Sequence, residues 1–295
     1  MPSTPPDQPW HARFDAFVAA KTAQASAAIL PPYETEIDAA ADADLHPIGN
    51  AWTRKLYDGD FHVSAARDPD RPACSLVFVQ SADGNTDARD PGMLGGGNTD
   101  KHLIYEGLSR VAADAVLAGA ATARGRTTMF SVWHPELVAL RSSLGLPRHP
   151  TQIVATRHGM DIEDSLLFNV PTVPAIVLTG ADGADRMHQA AALRPWITLM
   201  VMRQPDELAD AFRRLRARGI ATISCIGGRT LAAQLLDARL VDDVYLTTAP
   251  RPGGVSGTPL SPHPWRGRVI TRKHGTGPEA GVLFEHISTA GAAVP

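Results

Sequence analysis

From Ser224 to Gly254 the chain runs SCIGGRTLAAQLLDARLVDDVYLTTAPRPGG. It reads as a strand, a glycine pair, a helix, an acidic turn, a second strand and a Pro-Gly exit. Two buried-type strands joined through a helix demand a layered α/β arrangement, because neither strand can cover its apolar side chains alone. The glycine pair adds a chemical constraint. Glycines between a strand and a helix N-terminus leave backbone N–H groups free and sterically open to an anion, and a diphosphate-bearing ligand is the natural occupant.

The same alternation runs through the chain from Ala73 onward. Runs of about six mostly apolar residues, read as strands, occur at 73–80, 114–119, 151–156, 174–179, 197–202, 221–227, 243–249 and 281–287. Several are apolar throughout, as in strands covered on both faces. Helices are expected at 100–113, 182–192, 205–218 and 230–238, several opening on a capping-type residue or an early proline. Pro205-Asp206-Glu207 places acids at the positive end of its helix. The stretch 125–150 combines a loop with a short helix.

Residues 1–70 differ. They are rich in Ala, Asp and Pro, with one helix from about Asp7 to Ala28 carrying Phe14, Phe17, Val18 and Ile29, and then an irregular arm with no sustained period. The expected organisation is an N-terminal extension over 1–70 and one α/β domain over 71–295.

With 295 residues, 44% hydrophobic and 20% charged, the chain supports a substantial core. A formal charge of −3 and dispersed arginines provide no basic field for nucleic acid. No apolar run reaches the length of a membrane span, and MPSTPPDQPW lacks the basic and apolar regions of a secretory leader, so a cytoplasmic protein is expected. Only Cys74 and Cys225 are present, both in apolar strand-like runs, and read as two buried thiols. No histidine falls at a metal-binding spacing, so no metal is expected; His134, His149 and His158 lie in loops where solvated imidazoles are usual. There is no GxSxG nucleophile elbow.

Four segments are candidate sites. The turn after the 114–119 strand, Gly119-Ala120-Ala121-Thr122, lets a ligand approach the main chain and offers a hydroxyl, although an ordinary turn of small residues has the same composition. Thr156 and Arg157 end a buried strand, where a hydroxyl and a guanidinium can hold a phosphate monoester or simply begin a solvated loop. Gly227-Gly228 leads into Arg229 and Thr230. Finally, QSADGNTDARDPGMLGGGNTDKH at 80–102 offers Ser81 and Asp83 to a polar substrate, while Gly95-Gly96-Gly97 reads as a mobile flap. Three phosphate-compatible turns in one α/β domain favour a nucleotide site more than any one does.

Ser81-Ala82-Asp83-Gly84, then Arg110 with 114–119 and Thr122, then Ile226-Gly227-Gly228 through Leu240-Val241-Asp242-Asp243 to Ala249-Pro250, occur in the order and approximate spacing of one family. The chain resembles the reductase domain of bacterial riboflavin biosynthesis, within the dihydrofolate-reductase-like superfamily, over about residues 73–287. The resemblance implies a mixed, mostly parallel sheet flanked by helices, a homodimer, and an NADPH site built from Gly119, Ala120, Thr122, Thr156, Arg157, Gly227, Gly228, Arg229 and Thr230. It implies reduction of the ribosylamino group of a phosphorylated aminopyrimidine to a ribitylamino group. Asp83 and Ser81 would serve that reaction, with Thr99 and Arg110 as secondary substrate contacts and Arg110 facing the sugar phosphate; Arg126 is a further substrate-binding candidate of this chain's own.

This chain departs from the family pattern at two places. Arg126-Thr127-Thr128 stands where an acidic pair and proline are usual, and Ile226 where an acid precedes the glycine pair, which replaces a carboxylate-lined pocket by a neutral or basic one. A zinc deaminase signature is absent from residues 1–72, so deamination falls to another protein. Two other functions stay open: reduction of a folate or related pterin, with Asp83 or another pocket acid aiding protonation of a ring nitrogen, and nucleotide binding without catalysis.

Overall fold

The computed structural model describes residues 9–42, 44–65, 68–88, 91–203 and 207–289. Alternating strands and helices assemble one ten-stranded sheet in the order β1-β11-β12-β10-β4-β9-β5-β6-β7-β8. The strands are β1 (Tyr33–Asp38), β4 (Ala73–Gln80), β5 (Ala115–Gly119), β6 (Thr151–Thr156), β7 (Ala175–Thr179), β8 (Ile197–Val201), β9 (Thr222–Cys225), β10 (Asp243–Thr248), β11 (Arg268–Gly275) and β12 (Leu283–Ser288); β2 (Leu45–Ile48) and β3 (Phe61–Ser64) form a separate pair. From β10 to β8 every neighbouring pair is parallel, while β10–β12, β12–β11 and β11–β1 are antiparallel.

The helices are α1 (Trp10–Ala27), α2 (Ala51–Tyr57), α3, α4 (Ala120–Ala123), α5 (Pro135–Ser143), α6 (Ala181–Ala192), α7 (Leu208–Ala217) and α8 (Arg229–Asp237). Helix α3 opens with a turn, Gly97–Thr99, and continues π-helically from Asp100 to Leu108. Alternate strand residues face opposite layers. Val77 and Tyr245 join a core with Leu103, Ile104 and Phe284 on one face; Leu76 and Leu246 join Phe212, Leu231 and Ile287 on the other. Apolar continuity in the parallel strands is thereby explained, since both faces are covered.

Strands expected at 73–80 and 151–156 have those bounds, and the other six lie within a few residues of the expected ends. The segment beyond α1, expected to be irregular, instead contributes β1 to the sheet edge and α2 to the layer beneath it. Helix α2 starts on a reciprocal cap: Thr53 N–H donates to Asn50 Oδ1 (2.9 Å) and Asn50 N–H donates to Thr53 Oγ1 (2.8 Å). Strand β11 was not anticipated because Arg268, Arg272 and Lys273 break its apolar pattern. Lys273 is nevertheless buried, donating to Thr35 Oγ1 (2.7 Å) and the Asp58 carbonyl (3.0 Å) beside the Tyr57 ring.

Phe14, Phe17 and Val18 of α1 pack with Trp133 and Val170, but Ile29 lies past the helix end and is exposed. Helix α7 begins at Leu208; the anticipated start at Pro205 and Asp206 lies outside the described residues. His134 and His149 are half-buried against aromatic rings, whereas His158 is exposed as expected. The first stacks on Trp52 at 4.0 Å, and the second packs between Phe14 and Trp133, where burial pushes it down to about 4. Both thiols are buried, and burial pushes the Cys225 thiol up to about 12. Among the described residues no helix is long and apolar enough to cross a membrane, and no cluster of acids, histidines and cysteines is arranged to hold a metal.

Candidate active site

Because β4, β5, β6, β9 and β10 are parallel, their carboxyl ends meet along one edge, where an open α/β sheet binds its ligands. Gly119 ends β5, and its N–H donates to the Gly227 carbonyl (2.7 Å), so the glycine turns after β5 and β9 touch. The two glycines of the pair do different things. Gly227 has φ +95°, and a Cβ there would lie 2.9 Å from Phe78 Cζ, so the fold itself requires glycine. Gly228 has an ordinary φ of −70°, and its Cβ would meet only Thr122 Oγ1, at 3.8 Å. Its open side faces space beside Thr122 at the start of α8, where unpaired N–H groups carry partial positive charge.

Ala120 and Thr122 lie on α4, which follows Gly119 directly; Arg229 and Thr230 form the first turn of α8. Thr156 ends β6, its hydroxyl donating to the Gly159 carbonyl (3.0 Å), and Arg157 is exposed just beyond. Between the loops after β5 and β6 opens a cleft of about 420 Å³, lined by Arg124, Arg126, Gly159, Met160, Asp161 and Asp164 among others. Arg126 pairs there with Asp164 at 2.8 Å, which places it on this flank of the edge.

On the other side of β4 the structure assembles a group that the sequence reading missed. Asp100, at the start of α3, is buried against β4 and β10; Thr247 Oγ1 donates to its Oδ1 at 2.5 Å. Gly96 is packed so closely over it that a Cβ would come within 2.7 Å of Asp100 Oδ2. Desolvation, reinforced by the Glu279 carboxylate and opposed by the Thr247 bond, pushes the Asp100 carboxyl up to about 7. The available signal is an acid directly after Gly95-Gly96-Gly97, a segment expected to be a mobile flap, in which Gly96 and Gly97 are instead packed against Asp100 and Glu279.

Asp83 has the opposite character. Its carboxylate is exposed, accepts from Ser81 Oγ (2.5 Å) and the Gly253 N–H (3.2 Å), and is held below the usual carboxylate range chiefly by the Ser81 bond. Ser81 is buried, and its single hydroxyl hydrogen is shared between Asp83 and the Gly253 carbonyl, 3.0 Å from Oγ. The pair fastens the 80–86 loop to the 251–258 loop at the strand edge and stays ionised near neutrality. Thr99 is buried, its hydroxyl donating to the Pro31 carbonyl (2.9 Å).

Arg110 does not join the group. It precedes β5, at the amino ends of the parallel strands, with its guanidinium stacked 3.9 Å from the Tyr105 ring and Nη1 donating to the Ser131 carbonyl (3.2 Å). A sugar phosphate at the glycine edge cannot reach it. The acidic turn of the 224–254 block is likewise at that far end: Asp242 takes two bonds from Arg71 (2.8 Å each) and one from Cys74 N–H (2.9 Å), while Asp243 pairs with buried His286 at 2.9 Å. Ile226 is buried in the core, so no carboxylate precedes the glycine pair.

A mostly parallel sheet with one antiparallel flank, covered on both faces and converging on a glycine turn, is an open α/β fold whose ligand edge lies at the carboxyl ends of its parallel strands. Within that class the chain belongs to the family of the RibD C-terminal domain, whose model matches residues 72–264. Solved structures agree on the fold. A pyrimidine reductase-like protein from Corynebacterium diphtheriae superposes with a TM-score of 0.61 at 23% identity, covering 74% of this chain and 91% of that one. Acinetobacter baumannii RibD gives 0.54 at 18%, covering 74% of this chain, which spans only 58% of RibD. The Saccharomyces cerevisiae riboflavin biosynthesis reductase Rib7 gives 0.51 at 18%, covering 75% and 92%. No curated protein matches the sequence.

Proposed function

We propose that this chain is an NADPH-dependent reductase of a pyrimidine-type heterocycle, most like 5-amino-6-(5-phosphoribosylamino)uracil reductase. The observation that carries the reading is Gly228. The fold leaves open space where its side chain would be, the nearest atom being Thr122 Oγ1 at 3.8 Å, and an uncovered backbone at a helix N-terminus suits an anionic ligand. Thr122, Gly228, Arg229 and Thr230 would hold the diphosphate, and Thr156, Arg157, Arg124 and Arg126 would line the end that takes a 2′-phosphate. When bound, NADPH supplies a hydride; the residues of this chain orient the acceptor, keep water out and manage the proton.

The charge balance of such a reduction requires one proton beside the hydride. Asp100 holds a proton near neutrality and lies at the same strand edge, whereas Asp83 is ionised there. Asp100 is therefore assigned as the acid that donates to, or hydrogen-bonds, a ring nitrogen or the nascent amine. A buried acid against an absent carboxylate at Ile226 also favours the second reading, reduction of a folate or related pterin, whose ring needs protonation and has no ribose hydroxyls to recognise.

NADPH oxidation followed by absorbance, with the phosphoribosylamino pyrimidine and with dihydrofolate in parallel, separates the two readings. Turnover of neither, with NADPH bound, supports a nucleotide-binding homologue and refutes both. The chain is further proposed to act as a homodimer in the cytoplasm; sedimentation at a single species of monomer mass would refute the dimer.

A further inference from the structure

The family match begins at residue 72, and the segment before it is not accounted for by the reductase chemistry. Pro31 nonetheless lies against the helix that carries Asp100, and the residues after it join the sheet. Thr99 Oγ1 donates to the Pro31 carbonyl (2.9 Å), Thr276 Oγ1 donates to the Pro32 carbonyl (2.6 Å), and β1 continues from there along β11. Tyr33, the first residue of β1, is 2% exposed, packs towards Phe284, and has a buried hydroxyl with no hydrogen-bond partner. Burial, and after it the Asp100 and Glu279 carboxylates, hold the Tyr33 hydroxyl protonated well above the usual phenol range, which places the three groups in mutual electrostatic reach.

Glu279 closes the arrangement from the turn between β11 and β12. Its carboxylate accepts from Asn98 N–H (2.7 Å) and Thr99 N–H (3.2 Å), the free amides at the start of α3. It packs so tightly over Gly97 that no side chain fits there. The first turn of α3 is thus clamped from two directions, by the arm at Thr99 and by Glu279 at its backbone.

We propose that the N-terminal arm completes the catalytic chamber: the Pro31–Tyr33 segment and Glu279 fix the start of α3 and keep water from Asp100, making Thr99, Tyr33 and Glu279 positioning residues for that acid. The inference rests on the reading of Asp100 as the proton-holding group. A helix end released from its clamp would tilt Asp100 towards solvent, and an acid that gains water gains charge. The ionisable groups that interact with Asp100 are Glu279 from the β11–β12 turn and Tyr33 from β1, which in turn interacts with Tyr57 of α2; Lys101 and His102 follow Asp100 in sequence on α3. Thr247 of β10 is neutral.

The test needs no substrate. The full chain is titrated while the infrared band of protonated carboxyl groups is followed, with Asp100→Asn identifying the band that belongs to Asp100. Thr99→Val and Glu279→Gln are near-isosteric, and circular dichroism checks that each is folded. The expected result is an Asp100 band with a midpoint near 7 that moves towards the ordinary carboxylate range in both variants, because one loses the arm's anchor and the other a like charge together with the backbone clamp. If Asp100→Asn removes no band that titrates near neutrality, the reading of Asp100 falls. If that band is present but neither variant moves it, the proposal for the arm falls alone.

Discussion

Replacing Asp100 by Asn turns a proton-storing group into a neutral one of the same shape. The native carboxyl is pushed up to about 7 by burial, whereas in the unfolded chain it returns to the ordinary carboxylate range. A group raised on folding contributes stability that is full below its unfolded pKa and is lost as pH rises through its folded one. The slope limit is about 1.4 kcal/mol per pH unit for one proton, so between about pH 5 and pH 7 the wild type should lose about 2 kcal/mol relative to Asp100→Asn, with little further change above about pH 8. The assay is urea unfolding of both proteins at several pH values, reported as the difference between them so that every other titrating group cancels. A difference that stays constant over that interval would mean that Asp100 is charged and hydrated in the native state. The reasoning from burial to proton storage would then be refuted.

The two glycines of the pair should separate fold from ligand. Gly228→Val is expected to fold normally and to weaken NADPH binding by about tenfold or more, measured by fluorescence titration, while Gly227→Ala should lower stability by about 2 kcal/mol through its positive φ and the Phe78 ring. Arg110→Met should leave the KM for the heterocycle unchanged and alter stability by no more than about 1 kcal/mol, because a buried guanidinium with its Nε and Nη2 unpartnered gains little from its charge; a large rise in KM would restore it to the substrate site. Ser81→Ala should cost about 1 kcal/mol by loosening the 251–258 loop and leave the neutral-pH midpoint of kcat in place; a moved midpoint would make Asp83 the acid.

The parallel strands were legible because burial on both faces writes itself as unbroken apolar runs, as in Ala175–Thr179. The glycine turns were legible too, since few other side chains permit such approaches. What escaped was tertiary in origin. Strand β11 hides its register behind Lys273, whose charge is satisfied by Thr35 and Asp58, residues far away in sequence. Asp100 looks like any helix-opening acid until Thr247, Gly96 and Glu279 enclose it. Arg110 misled for the complementary reason: an arginine in a familiar place of a motif says nothing about which end of the sheet it occupies.

The pairing of β1 with β11 has a consequence outside catalysis. Removing residues before the family match would keep every parallel strand and the glycine edge, but would bare one side of β11, whose Thr271–Gly275 stretch is now matched to Tyr33–Asp38. An eight-residue strand with free N–H and C=O groups along one side is a template for a second chain. A protein trimmed to the apparent catalytic unit should therefore be more prone to edge-to-edge association, because the edge would pass from the six-residue β1, which carries Glu34, Glu36 and Asp38, to the longer β11.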